Sequence, residues 1–354
     1  MTYTLIQALR GILCVGVVFM HIKIYLTRTG DPSFFAYVPD ILGGIPCGFF
    51  AVSGYFMAML VDRNSPNFLA QRLVRVYPMY FVVVAMAYVM RAFTASPLNY
   101  DDLFQVMSLL PFGMGKSYKL GIEWTLVYEI WYYFICALFC RPKWHRHFPA
   151  FLLAWLFAVI LSDIVAFAPP KPLPNLSSIW LSIWNYSFIL GALTYYYIQR
   201  RNEPATMAWA QQVLFGTLCV ASAINGQAYS VLYMLGFGSC LLVDWLIRLE
   251  SRIRSPKLLA RLGDYSYALY LVHSNIIILV LDWWEKATGT KPGAVTGLMA
   301  LVLCMGGFWF LGQFDVALHK RCKAQVNRYM PDGFVALALR LVPGLAAVRG
   351  RTGQ

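Results

Sequence analysis

The chain of 354 residues is 59% apolar and only 13% charged, with a mean hydropathy of +0.59, which excludes an average soluble globular domain. About 20 consecutive apolar residues cross the hydrocarbon core of a bilayer, and runs of that length recur from end to end. The class is therefore a polytopic membrane protein with a single integral domain. The formal charge of +13 does not point to nucleic acid, because the basic residues lie mostly between the apolar runs, where they record topology and meet lipid headgroups.

Taken in chain order, the apolar runs predict an all-α bundle of about ten transmembrane helices: Leu5–Leu26, Gly43–Val61, Leu73–Phe93, Ile122–Phe139, Phe148–Phe167, Ile179–Ile198, Met207–Ile224, Ser230–Ile247, Leu262–Trp284 and Val295–Phe314. No basic segment precedes the first run, which is long enough to stay as a span, so no cleavable signal peptide is expected. The stretch Leu103–Phe112 is too short to cross and reads as an interfacial or re-entrant piece. Residues 1–320 are expected to form the membrane domain and 321–354 a basic tail, in which Phe334–Val348 is amphipathic enough to lie on the membrane surface. With the N-terminus inside, twenty Lys and Arg residues fall in alternate loops and the tail on that side, against eight in the opposite loops. The bias never slips, which predicts that both termini are cytoplasmic.

Polar residues within the runs are few. Arg10 and His21 share the first helix, eleven positions apart. That spacing advances about 1100°, close to a whole number of turns, and rises about 16 Å, so both project from one stripe. A cation at the bilayer centre costs at least about 2.5–3.5 kcal/mol; Arg10 either has a reason to be there or snorkels to the inner headgroups. The assigned orientation puts His21 near the outer end and Arg10 about 8 Å in from the inner end. Glu129 in the fourth helix is then expected about 10 Å below the outer surface, level with His21. Arg72 and Arg75, three apart at the inner start of the third helix, share a face suited to gripping phosphates or to anchoring the helix.

Other positions read more plainly. Ser53 in FAVSGY lacks the strand–turn–helix setting of a nucleophile elbow, and with Gly54 it fits small-residue helix packing. Ser266, Tyr270 and His273 lie near one face of the ninth helix, either lining a cavity or bonding that helix into the bundle. Asp163, Asp244, Asp264, Asp282 and Asp315 stand near span ends and read as mostly interfacial. The eight cysteines are scattered without a disulfide framework or ligand spacing, and His145 and His147 in RPKWHRH lack companions, so no metal is expected. Aromatic residues such as Trp124, Trp131, Tyr132 and Tyr133 serve packing first, with a capacity to stack on sugar rings.

Five motifs in order carry a resemblance: Arg10 with His21, GFFAVSGY around Ser53, Arg72 and Arg75 in QRLVRVYP, WTLVYEIWYY containing Glu129, and LGDYSYALYLVH ending at His273. Together, from Leu5 to about Trp284, they resemble the integral-membrane acyltransferase-3 family, which includes bacterial polysaccharide O-acetyltransferases, in its form without an added periplasmic domain. GGIPCGFF ahead of the second helix and Thr125 in place of a commoner Ser depart mildly from the family pattern.

The resemblance implies transfer of an acyl group, acetyl foremost, from acyl-CoA at the cytoplasmic side to a hydroxyl of an extracytoplasmic carbohydrate or lipid-linked glycan, such as an exopolysaccharide or O-antigen unit. His21 would be the general base, suited to neutral pH. Glu129 would orient His21 or bind the acceptor, and Arg10, Arg72 and Arg75 would hold the nucleotide phosphates. Ser53, Trp124, Tyr133, Tyr270 and His273 would line the cavity. The implied location is the bacterial inner membrane, with polysaccharide-assembly machinery as a further partner. Sequential transfer and an acyl-histidine relay both stay open. The competing reading is a transporter or flippase in which Arg10, His21 and Glu129 relay ions without group transfer; the absence of a second half repeating the Arg10–His21 pattern counts against it.

Overall fold

The computed structural model describes residues 3–65, 67–94, 97–98, 103–111, 120–165, 175–200, 228–253 and 255–329. Among these residues the α-helices are α1 (Thr4–Thr29), α2 (Ile45–Asp62), α3 (Phe68–Ala92), α4 (Leu103–Ser108), α5 (Glu123–Phe139), α6 (Phe148–Ile164), α7 (Trp184–Arg200), α8 (Ala228–Leu249), α9 (Lys257–Thr288) and α10 (Ala294–Tyr329). The protein is an all-α, polytopic membrane protein, with seven described segments long and apolar enough to cross a bilayer. The α5 and α7 helices, 17 residues each, coincide with predicted spans but are shorter than those seven. The predicted span Met207–Ile224 and the stretch Phe334–Val348 lie outside the described residues.

The last helix runs on to Tyr329, nine residues past position 320. The short segment before the fourth predicted span is the six-residue helix α4, tied to α3 by side chains: the Tyr77 hydroxyl donates to the Ser108 carbonyl at 2.5 Å and the Tyr80 hydroxyl to the Val106 carbonyl at 2.6 Å.

Burial ranks the helices. In the apolar stretches of α2 and α9, 67% of residues are buried, against 28–39% in the other five, so α2 and α9 form the interior. Exposed apolar residues such as Phe157, Val302 and Phe310 on α6 and α10 have only lipid tails to meet. Because those tails are as apolar as leucine, helices in lipid associate through close packing rather than hydrophobic burial, and small residues permit it. Two seams show this. A Cβ on Gly263 of α9 would stand 2.0 Å from the Gln7 carbonyl oxygen of α1, and one on Gly11 would stand 2.7 Å from the Leu262 Cβ. Between α2 and α7, a Cβ on Gly54 or Gly191 would lie 2.1 Å from the carbonyl oxygens of Phe188 or Ala51. An aromatic core fills the space beyond, with Tyr132 stacked on Phe188 at 3.8 Å and edge-on to Phe50.

The start of α1 is set from a distance in sequence. The Glu250 carboxylate accepts hydrogen bonds from the Thr4 and Leu5 amides (2.6 and 2.8 Å) and the Thr4 hydroxyl (2.7 Å). A carboxylate there satisfies otherwise orphaned donors and complements the helix dipole, and it holds the register of Arg10 further along.

Gly263→Ala is expected to lower stability by at least about 1–3 kcal/mol through overpacking of a backbone contact. Gly306→Ala, where a Cβ meets nothing within 4 Å, should leave stability unchanged or slightly raised. Thermal unfolding of the two variants in detergent checks the contrast.

Candidate active site

Five helices, α1, α2, α3, α5 and α9, enclose a cavity of about 380 Å³, a size suited to a small-molecule ligand. Its lining contains Gln7, Arg10 and Val17 of α1, Ser53 of α2, Arg72 and Arg75 of α3, Thr125, Glu129 and Tyr133 of α5, and Ser266, Tyr267 and Tyr270 of α9. Apolar side chains, including Phe49, Phe50, Met57 and Leu126, complete it. The three arginines, Ser53, Glu129, Tyr133 and Tyr270 are thus brought together from five stretches of chain. Trp124 is not in the lining; its indole packs against Trp184 at 4.9 Å and edge-on to Tyr128, a core role.

The arginines differ in how they are held. Arg75 makes a forked ion pair with Asp315 of α10, at 3.0 and 2.9 Å, and lies over the Tyr267 ring at 4.8 Å. Asp315 is buried, with its side chain 2% exposed, so the expectation of an interfacial carboxylate fails there: the charge is drawn inward because a buried guanidinium needs a counter-ion. Asp244 is likewise buried and paired, to Arg248 at 2.9 Å. Arg10 donates a hydrogen bond to the Gln7 side-chain oxygen at 3.2 Å and attracts Glu129 electrostatically. Arg72 presents a buried Nε with no hydrogen-bond partner among the described residues. An unmet buried donor costs about 1–3 kcal/mol, and an anionic ligand entering the cavity would satisfy it.

Pro78 adds local shape to α3. Having no N–H, it leaves the Val74 carbonyl without its helical donor, and His319 Nδ1 of α10 stands 3.4 Å from that oxygen. The Tyr267 hydroxyl donates to the Val76 carbonyl at 2.9 Å. Helices α9 and α10 therefore clamp α3 at the turn that carries Arg75.

His21 sits one turn beyond Val17 and is absent from the cavity lining. Its Nδ1 lies 3.0 Å from the Val17 carbonyl and 3.3 Å from Nε2 of His273. His21 and Glu129 have different partners: Glu129 accepts a short hydrogen bond from the Tyr133 hydroxyl and shares the cavity with Arg10, while His21 meets Val17 and His273. Depth along a helix left its azimuth open, and α5 turns Glu129 toward the arginines. His273 is fully buried and lies outside the lining, whereas Tyr270, one turn away, is part of it. Beyond the pair, the hydroxyls of Tyr25 and Ser274 are 2.7 Å apart and Ser274 donates to the Leu120 carbonyl. Gln7, Tyr267 and Asp315 escaped sequence reasoning; an aspartate at the end of an apolar run, with an arginine elsewhere in the membrane, was the available signal for the last.

A family model describing an acyltransferase domain, acyltransferase-3, matches residues 4–313. The chain belongs to the acyltransferase-3 family. The matched stretch includes every helix around the cavity, and the protein is a membrane acyltransferase, which displaces the transporter reading. The chain is 26% identical over 327 residues to "Acyltransferase MdmB" of Streptomyces mycarofaciens, covering 80% of this chain and 81% of that protein. It is 25% identical over 274 residues to "Exopolysaccharide production protein ExoZ" of Rhizobium meliloti (strain 1021), covering 71% of this chain and 79% of that one. No solved structure gives a significant match.

Removing one partner of a buried ion pair strands the other charge and costs about 3–5 kcal/mol. Because the Arg75 side chain keeps 21% exposure, Asp315→Ala is expected at the lower end, about 3 kcal/mol, read as a lowered midpoint of thermal unfolding.

Proposed function

We propose that this acyltransferase moves an acyl group, acetyl foremost, from acyl-CoA entering from the cytoplasm to a hydroxyl of an extracytoplasmic carbohydrate, in the bacterial inner membrane. The observation that carries the donor is the cavity wall of Arg10 and Arg72, two guanidinium groups without a carboxylate ion pair among the described residues, one with a buried unmet donor. Arginine's planar fork matches phosphate oxygens, and coenzyme A supplies phosphates beside a long apolar-lined path for its pantetheine arm. The acceptor is supported by the relative named for exopolysaccharide production, and the sidedness by the surplus of basic residues on one set of loops.

In this reading Arg10 and Arg72 grip the nucleotide phosphates while Arg75, occupied by Asp315, shapes the wall. The thioester reaches the end of the cavity marked by Val17 and Tyr270, next to His21. The acceptor hydroxyl gives its proton to His21 as its oxygen attacks the thioester carbonyl. The carbon–sulfur bond breaks, and the departing thiolate takes the proton from the imidazolium, leaving an ester and free coenzyme A. Glu129, held by Tyr133, balances the charge of Arg10 when the cavity has no anion.

The test is transfer of labelled acetyl from acetyl-CoA to the glycan fraction of membranes from a deletion strain, using purified full-length protein. His21→Ala is expected to abolish transfer while keeping the thermal shift given by coenzyme A; retained turnover would remove His21 from the chemistry. Losing a hydrogen bond to a charged group costs about 1.5–3 kcal/mol, so Arg72→Ala is expected to raise the KM for acetyl-CoA by about ten- to a hundredfold. Absence of any coenzyme A-dependent thermal shift in the wild type would defeat the donor assignment.

A further inference from the structure

The hydrogen-bond partners of the two histidines define where their protons sit. His273 Nδ1 is 2.7 Å from the Tyr270 carbonyl and 3.2 Å from the Leu269 carbonyl. Carbonyl oxygens only accept, so Nδ1 carries hydrogen and, in the neutral ring, Nε2 carries the lone pair. That Nε2 faces His21 Nδ1 at 3.3 Å, and the same His21 nitrogen is 3.0 Å from the Val17 carbonyl. Both neighbours of His21 Nδ1 are acceptors, so it too carries hydrogen, leaving Nε2 as the basic nitrogen. The rings meet edge-on, 4.8 Å apart.

We propose that His273 is a positioning residue, which holds His21 in the tautomer whose Nε2 is free to take the acceptor's proton. The inference rests on the assignment of His21 as general base. It departs from the common arrangement, in which a carboxylate holds the base histidine. Among the described residues neither imidazole is hydrogen-bonded to a carboxylate; Glu129 bonds Tyr133, and Glu123 accepts from the Leu120 and Ile122 amides. A neutral imidazole braced by two carbonyls does the orienting instead. When Nε2 of His21 receives the hydroxyl proton, its Nδ1–H donates more strongly to His273 Nε2. The positive charge is then shared by hydrogen bonding, with no net proton movement beyond His21. The thiolate later removes the proton from His21 Nε2, restoring both neutral rings. Burial supports the role: His273 is completely enclosed, and the Gly11–Gly263 contact brings α1 and α9 close enough for the rings to meet.

The test compares full-length His273→Ala and His273→Gln in the acetyl transfer assay. His273→Ala is expected to lower kcat by about ten- to a hundredfold, with the KM for acetyl-CoA little changed and the thermal midpoint lowered by the cavity left at an enclosed site. His273→Gln, whose amide oxygen can accept from His21 Nδ1, should recover part of the loss. Nitrogen-15 NMR of histidine-labelled wild type, with His21→Asn to assign the signals, gives a readout independent of turnover and of variant folding. Neutral His21 is expected protonated at Nδ1. A His273→Ala enzyme with kcat within twofold of wild type, or His21 protonated at Nε2 instead, overturns the inference. If His21→Ala loses activity and His273→Ala does not, this inference alone fails; if His21→Ala keeps turnover, the general-base reading fails with it.

Discussion

The backbone contact between α1 and α9 is the constraint from which the site follows. At Gly11 and Gly263 the two helices meet with no room for a side chain on either, and in lipid such close approach is itself the source of association. Three residues of α1 spaced seven apart, Gln7, Cys14 and His21, then run along α9: Gln7 by its backbone at Gly263, Cys14 by its thiol to the Ser266 carbonyl at 3.2 Å, His21 by its ring to His273. Arg10 is turned off that seam and into the space framed by α2, α3 and α5. The Glu250 cap at the first turn keeps this register from sliding. A structural seam and a chemical stripe are thus two edges of one helix.

Charge is handled differently at each arginine, and the differences sort structure from ligand binding. Arg75 has a carboxylate, an aromatic face and a helix clamped at Pro78; its charge is settled within the protein. Arg10 has a neutral amide and a carboxylate across the cavity, a balance that an incoming anion can shift. Among the described residues, Arg72 has a buried nitrogen with no hydrogen-bond partner. Buried cations are costly in a membrane, and the donor proposed above rests on two of the three having no ion pair among those residues.

Much of this was legible in one dimension. The apolar runs located the helices because a span is long, hydrophobic and locally defined. Arg10 was found because polar residues in such runs are rare, Arg72 as one of a basic pair at a span end, and Ser53 through the family resemblance; each lines the cavity. The pairing of Glu129 with His21 was not legible: rise per residue gives depth, while the direction a side chain faces depends on neighbours hundreds of positions away. For the same reason Trp124 was expected to line the cavity and is a core aromatic, and Asp315 looked interfacial and is the counter-ion of Arg75, 240 positions distant. His273 was singled out as the end of a motif and an expected lining residue; that it instead meets a second ring 3.3 Å away came from packing.

By itself the amino-acid order determined the class, the helices and the family resemblance, since each rests on local periodicity, composition or motif. Tertiary structure decided which charges are paired, which side chains share the cavity, and that His21 meets His273. Those outcomes depend on distances between helices remote in sequence, which packing sets and periodicity does not encode.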